Sequence, residues 1–387
     1  MKNTPLKIAL LTHSTNPRGG VIHTLELADA LARLGHEPVV FAPGQRETAF
    51  FRSTLCQTVI VPSEPPAYAL HETILSRVAD YTSYFSAVPE HTFDVWHAQD
   101  GISANALLAL KDRRRIPAFA RTVHHIDPFS DVRVTVLEAE SIQRADQLFT
   151  VSRVWQEEIE TRFSRFASLT GNGVDVFRFN RDPHALYDTE LREKLVPGDG
   201  PIYLAIGGIE QRKNTIGILA AFAQCHAQNP DARLVIAGGA SVLDHSFYRH
   251  EFEQVLKLSC LPKSSVIITG TVPDRLMPSL YRRASALVFP SLNEGFGLVV
   301  LEALACDVPV VASRIRPFTD FLSGDDVHWC DPEDSTSIAE AMLSAIKTPA
   351  RADLVERRLG VARRHNWTTI ALAHLPVYEA MKENCHA

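Results

Sequence analysis

Apolar residues in this chain gather into short β-type runs at 7–13, 37–42, 58–62, 94–98, 118–124 and 147–152, with stretches of helical period between most of them. This alternation predicts a parallel sheet wound by crossover helices. The first helix is the clearest. Val21, Ile22, Leu25, Ala28, Leu31 and Leu34 recur at helical spacing, Glu26, Asp29 and Arg33 form its polar face, and Gly35 stands where a left-handed cap would stop it. After residue 152 a charged helical stretch leads to Gly171-Asn172-Gly173-Val174-Asp175. The Pro- and Asp-rich segment 175–200 has no sustained apolar period and predicts a passage between domains. A second series of runs follows at 202–206, 233–237, 266–269, 286–290, 308–312 and 327–330. The pattern predicts an α/β chain of two doubly wound, Rossmann-like units, 1–175 and 176–364. A C-terminal helix at 365–387, around Trp367 and Tyr378, is expected to pack back on the first. In open α/β sheets ligands sit at the carboxyl ends of the strands, so chemistry is expected in the strand-to-helix loops, facing a cleft between the units.

Composition supports this picture and narrows the function. The 387 residues suffice for two domains at roughly 100–200 residues each. Hydrophobic residues make up 45% and charged residues 22%, which excludes disorder and fibrous repeats. A formal charge of −6 argues against a nucleic-acid-coating surface, and the cluster Lys111, Arg113, Arg114 and Arg115 reads as a solvated helix end. Six cysteines, none in a Cys-x-x-Cys pair and several inside apolar runs, read as buried thiols of a reduced, cytoplasmic protein. No run approaches the roughly 18 apolar residues of a membrane span, so at most a peripheral membrane contact is expected.

The strongest chemical signal is the segment from Phe289 to Ala303, which reads as strand, glycine-punctuated loop and helix. Gly295 and Gly297 remove side chains where the helix begins, so exposed backbone N–H groups and the positive end of the helix dipole can approach a phosphate. Glu294 lies in the loop and Glu302 eight residues on. Their backbones are roughly 12 Å apart at the helical rise, which lets one carboxylate grip a sugar and the other a ribose with the diphosphate between them. A second signal, Ile206-Gly207-Gly208-Ile209-Glu210-Gln211-Arg212-Lys213-Asn214, also follows a strand and carries two cations. Preorganised cations beside a departing nucleoside diphosphate stabilise the transition state, where its charge develops, more than the ground state. A third is Arg121-Thr122-Val123-His124-His125, at the end of a strand of the first unit.

With these residues the chain resembles the family 4 retaining glycosyltransferases, which have the GT-B fold. Glu294 and Glu302 match their E-x7-E signature, and Phe289-Pro290-Ser291, Pro309-Val310-Val311-Ala312-Ser313, Gly19-Gly20 with a helix ending Gly35-His36, Asn172-Gly173-Val174-Asp175 and the Trp367 region are similar as well. The resemblance covers nearly the whole chain. It implies a retaining transfer of a sugar from a UDP-, GDP- or ADP-sugar to an acceptor hydroxyl on a carbohydrate, a lipid-linked molecule or a small molecule. It also implies that Glu302 holds the donor ribose, that Glu294 holds a sugar hydroxyl, and that the amides of Gly295, Phe296, Gly297 and Leu298 meet phosphate or sugar. Lys213 falls on the family's diphosphate lysine and His124 on its sugar-contacting histidine. His125, next along the strand, points the other way. Gly208 stands in the donor loop where the family often has Arg, and Asn214 where it often has Gly; Arg212 is read as supplying the second cation, because a guanidinium binds phosphate oxygens in a bidentate way. Gly19 and Gly20 are expected to offer amides to donor or acceptor, the backbone around Thr271 and Val272 to meet the base, and His97 and Asp100 to line the acceptor side or serve the fold. No Asp-x-Asp motif occurs, so no metal or other cofactor is expected, and fixed cations with a helix terminus take the metal's place.

Other classes fit the architecture as well. An NAD-dependent dehydrogenase is disfavoured because Arg18-Gly19-Gly20 stands where its Gly-x-Gly-x-x-Gly belongs. A nucleotide-sugar epimerase or a phosphorylase is closer, since fold alone does not fix the reaction, and a noncatalytic nucleotide-sugar-binding protein is a further alternative.

Overall fold

The structure, a computed structural model, describes residues 4–65, 67, 69–239, 246–347 and 351–386. Ala387, the end of the expected C-terminal helix, and the side chain of Cys385 lie outside the described residues. The chain divides into two compact units, residues 1–173 with 367–387 and residues 174–366.

In the first unit the chain runs β1 (Lys7–Leu11), α1 (Gly19–Arg33), β2 (Glu37–Gly44), β3 (Gln57–Pro62), α2 (Leu70–Ser86), β4 (Val95–Ala98), α3 (Gly101–Asp112), β5 (Ala120–Val123), α4 (Val132–Gln143), β6 (Gln147–Thr150), α5 (Arg153–Phe163) and β7 (Ser168–Leu169). All strand pairs are parallel, in the order β3-β2-β1-β4-β5-β6-β7. The order reverses between β1 and β4, which makes their carboxyl ends the switch point of this sheet. The second unit continues with α6 (Ala185–Lys194), β8 (Ile202–Ile206), α7 (Thr215–Gln228), β9 (Arg233–Ala237), α8 (Ser246–Leu258), β10 (Val266–Gly270), α9 (Met277–Arg283), β11 (Ala286–Phe289), α10 (Leu298–Ala305), β12 (Val310–Ser313), α11 (Phe318–Phe321), β13 (His328–Cys330), α12 (Ser335–Lys347) and α13 (Ala352–Arg364). Its parallel sheet has the order β10-β9-β8-β11-β12-β13, with the switch point at β8 and β11. The last helix, α14 (Trp367–His386), belongs to the first unit, where it packs against α1 and β4.

Each sheet is sealed by apolar side chains from both faces. Tyr81, Trp96, Leu107 and Phe119 are buried in the first unit, and Tyr203, Leu219, Phe222 and Ile236 in the second. Strands covered on both sides read as continuous apolar runs, which is why the sequence locates them within a residue or two. Gly35, at φ +90, takes the left-handed conformation that ends α1.

Three expectations are corrected, and one strand is added. The passage 175–200 contains α6, which buries little beyond Leu191; ion pairs from Glu190 to Arg275 and from Asp188 to Arg282, both 2.8 Å, tie it to the second unit, so no apolar period marks it. The short strand β7 has too few residues to show a pattern. Glu26 and Asp29 are buried rather than solvated, because Arg52 meets the Glu26 carboxylate at 2.7 Å and the Leu55 backbone N–H donates to Asp29 at 2.7 Å. Among the thiols, Cys225, Cys306 and Cys330 are buried but Cys260 is exposed. Among the described residues no helix is long and apolar enough to cross a membrane.

Behind the second unit's switch point, the backbone beyond β8 lies directly on that beyond β9. The N–H groups of Gly207 and Gly208 both donate to the Ala237 carbonyl, at 2.9 and 3.0 Å. A Cβ on Gly238 (φ +135) would stand 2.5 Å from the Gly208 nitrogen, so strain and collision coincide there. Gly238→Ala is predicted to destabilise the protein by about 2 kcal/mol, read as a lower midpoint in thermal or urea unfolding; an unchanged midpoint contradicts this packing.

Candidate active site

The loops that follow β8 and β11 meet because those strands are neighbours in the sheet. The Leu292 N–H donates to the Arg212 carbonyl at 2.9 Å, which stitches the two loops together. Gly207, at φ +125, has no side chain because a Cβ there would come within 2.9 Å of Lys213 Cε. Asn214 adopts φ +58 as it opens α7, a left-handed conformation that Gly takes freely and Asn tolerates, and its side-chain amide donates to the Pro332 carbonyl at 2.6 Å. The Asn for Gly exchange noted in the sequence therefore leaves the loop geometry intact.

Glu294 is the point on which the loops converge. Lys213 Nζ donates to Glu294 Oε2 at 2.5 Å, Arg212 Nη1 to Oε1 at 2.9 Å, and the Gly295 backbone N–H to Oε1 at 3.1 Å. The Glu294 and Lys213 side chains are only 10% and 13% exposed, whereas Arg212 is 34% exposed. Lys213 Nζ also lies 4.3 Å from the centroid of the Phe289 ring, which adds a cation–π contact. Burial by itself would raise the Glu294 carboxyl, but Lys213 and Arg212 overcome it and hold the group at about 2. Burial also pulls the Lys213 ammonium below its usual range, opposed by Glu294 and assisted by repulsion from Arg212. Glu210 stands 3.8 Å from Arg212, beyond hydrogen-bond distance.

Beyond Glu294 both glycines are buried, and the expectation of an open amide is corrected at Gly295, whose N–H is taken by the Glu294 carboxylate itself. Gly297 (φ +98) caps α10 so closely against Phe318 that a Cβ would approach Phe318 Cε1 to 2.6 Å. Phe296 stacks on Phe321 with centroids 4.7 Å apart, and Leu298 begins α10, half-buried. Glu302, one turn deeper in α10, is buried and accepts a 2.5 Å hydrogen bond from the Tyr281 hydroxyl. Sequence reasoning did not single out Tyr281, since a lone Tyr on a short helix carries no signal. Thr271 (exposed) and Val272 (buried) follow β10, with the Thr271 hydroxyl seated where Gly239 lacks a side chain.

In the first unit Gly19 and Gly20 open α1, and His124 follows β5. Gly20 lies against the His124 ring, where a Cβ would be 3.5 Å from Cδ2, and the His23 ring meets His124 edge-on at 4.7 Å. His124 Nε2 is buried and, among the described residues, has no hydrogen-bond partner. Burial first, then His23 and His125, hold this imidazole well below its usual range, so it is neutral at neutral pH. His125 is exposed and pairs with Asp127 at 2.9 Å. His97 and Asp100 both have partners within the fold: buried His97 bonds Tyr378 and Thr122 at 2.6 and 2.8 Å, and Asp100 closes a capping box on α3 with Ser103. The structure thus brings Arg212, Lys213 and Glu294 into one cluster and Gly20 and His124 into another, each within its own unit.

Because the folded-state carboxyl of Glu294 lies below its ordinary value of 4.5, its contribution to stability is full above about pH 4.5 and is lost as the pH falls toward 2. Glu294→Gln is predicted to lower stability at pH 7 by about 3 kcal/mol, because it strands Lys213. The gap in melting temperature from the unsubstituted protein narrows between pH 5 and pH 3; a gap independent of pH contradicts the ion cluster.

Comparison with known proteins bears on the family and the fold. The model for Glycosyltransferase Family 4 matches residues 17–178 and that for Glycosyl transferases group 1 matches residues 187–359. The chain is 29% identical over 307 residues to a glycogen synthase of Mycobacterium tuberculosis, which covers 75% of this chain and 69% of that protein. It is 27% identical over 431 aligned residues to D-inositol 3-phosphate glycosyltransferase 2 of Catenulispora acidiphila, with 100% and 98% covered. The structure of Anabaena HepE in complex with UDP and glucose has the same fold, with a TM-score of 0.79 at 19% identity and coverage of 97% and 99%. Two family models that between them account for most of the chain, and relatives that are transferases along its length, place this protein among the family 4 retaining glycosyltransferases, GT-B enzymes that move a sugar from a nucleotide-diphosphate donor to an acceptor hydroxyl.

Proposed function

We propose that the loops after β8 and β11 hold the donor of this transferase, with Lys213 and Arg212 on the diphosphate. Glu294 takes a hydroxyl of the sugar, Glu302 the ribose, and the amides of Phe296, Gly297 and Leu298 the phosphate or sugar, while Gly208 lets the backbone come close to the phosphate. The backbone around Thr271 and Val272 meets a base that we read as uracil, guanine or adenine. The observation that carries this reading is the Arg212–Glu294–Lys213 cluster at the switch point of the second sheet. An ammonium has three donors and a guanidinium five, so the cations that fix Glu294 have the capacity to hold phosphate oxygens as well. The UDP and glucose bound to Anabaena HepE support a nucleotide-sugar donor.

In the transfer itself, the bond from the anomeric carbon to the diphosphate oxygen breaks and negative charge grows on the leaving group beside Lys213 and Arg212. Fixed cations in a site of low polarity stabilise that charge without reorganising, and on this reading no metal is needed. The acceptor oxygen attacks from the face the diphosphate leaves, which retains configuration, and its proton passes to the leaving phosphate. The neutral His124 imidazole, with Gly20 beside it and Gly19 preceding Gly20 in the chain at the start of α1, is suited to position the sugar rather than to take a proton.

Donor hydrolysis or transfer, measured with a panel of UDP-, GDP- and ADP-sugars, tests these roles. Lys213→Ala is predicted to lower kcat about 10²–10³-fold, with Arg212→Ala, Glu294→Ala and His124→Ala each lowering it less, and excess EDTA is predicted to leave the rate unchanged. An unaltered rate in Lys213→Ala, or abolition by EDTA with rescue by a divalent ion, contradicts the assignment.

A further inference from the structure

We propose that Tyr281 is a positioning residue for the donor: its hydroxyl fixes the Glu302 carboxylate so that the enzyme distinguishes a ribonucleotide from a deoxyribonucleotide. The inference rests on the reading that Glu302 holds the ribose. A carboxylate that takes two neighbouring hydroxyls must present its oxygens in one orientation, and a glutamate side chain turns about three bonds to reach it. Tyr281 restricts that freedom directly. Its O–H donates to Glu302 Oε2 at 2.5 Å across the packed helices α9 and α10, with Tyr281 fully buried and Glu302 7% exposed.

The tyrosine is itself held. Phe179 meets its ring edge-on with centroids 5.7 Å apart, the Arg178 guanidinium lies 4.7 Å from the Phe179 centroid, and Arg178 is anchored by a 2.7 Å ion pair to Asp274, just before α9. Orientation therefore passes from a charged anchor through two rings to one hydroxyl and then to the carboxylate. Burial, and after it the charge of Glu302, push the Tyr281 phenol well above its usual range, so it remains a donor at any working pH. An apolar residue of the same shape would fill the space equally well. The hydroxyl adds a hydrogen bond to Glu302 that such a residue would lack.

The test compares ribose with deoxyribose at constant base and phosphate. Calorimetric titration with UDP, GDP and ADP identifies the tightest nucleotide, and its 2′-deoxy counterpart is then titrated into the unsubstituted chain and into Tyr281→Phe, each checked by its melting curve. The unsubstituted chain is expected to prefer the ribonucleotide about tenfold, equivalent to about 1.4 kcal/mol, and Tyr281→Phe to bring the ratio to within about threefold by weakening the ribonucleotide alone. Tyr281→Met, which loses ring and hydroxyl together, is expected to show the same loss and serves if the Phe variant does not fold. A preference retained in either folded variant overturns the role of Tyr281 and leaves the ribose reading of Glu302 standing. Equal binding of both nucleotides by the unsubstituted chain overturns the ribose reading, and the inference with it.

Discussion

A buried carboxylate held by two cations is the constraint around which the second unit is arranged. Lys213 and Arg212 reach Glu294 from a different strand's loop and, with the Gly295 N–H, overcome the burial that by itself would raise its carboxyl. The sheet order supplies that meeting: β8 and β11 lie side by side where the winding reverses, so the loops leaving them share one space. The glycines of the loops after β8 and β9 meet further packing demands. Gly207 gives way to the Lys213 stem, and Gly208 and Gly238 let two backbones approach closer than side chains allow.

The two glutamates of the E-x7-E segment have different partners, in keeping with the separate roles proposed for them. Glu294 faces cations and is tied to the charge that a diphosphate would bring. Glu302 faces a neutral hydroxyl that orients it without competing for its charge.

Much of this was legible in the sequence because it is local. Doubly covered strands write themselves as apolar runs, and the boundaries of β8 and β9 are those of runs 202–206 and 233–237. Lys213, Glu294 and Glu302 stand out by spacing within single strand–loop–helix segments. What stayed hidden is what depends on partners distant in the chain. Nothing near Glu302 announces Tyr281, nothing near Glu26 announces Arg52, and α6 is held by ion pairs that leave no periodic trace. The Gly295 amide was misread for a related reason. A pattern of glycines shows that a backbone is open to approach, but not that a neighbouring carboxylate has already taken its N–H.

The account turns on where a nucleotide's β-phosphate rests, and a crystal structure of the chain with bound UDP, GDP or ADP measures this directly. A β-phosphate oxygen about 3 Å from Lys213 Nζ, with Arg212 beside it, is the result the account predicts. A β-phosphate remote from both cations, or held only through a divalent ion, would contradict it.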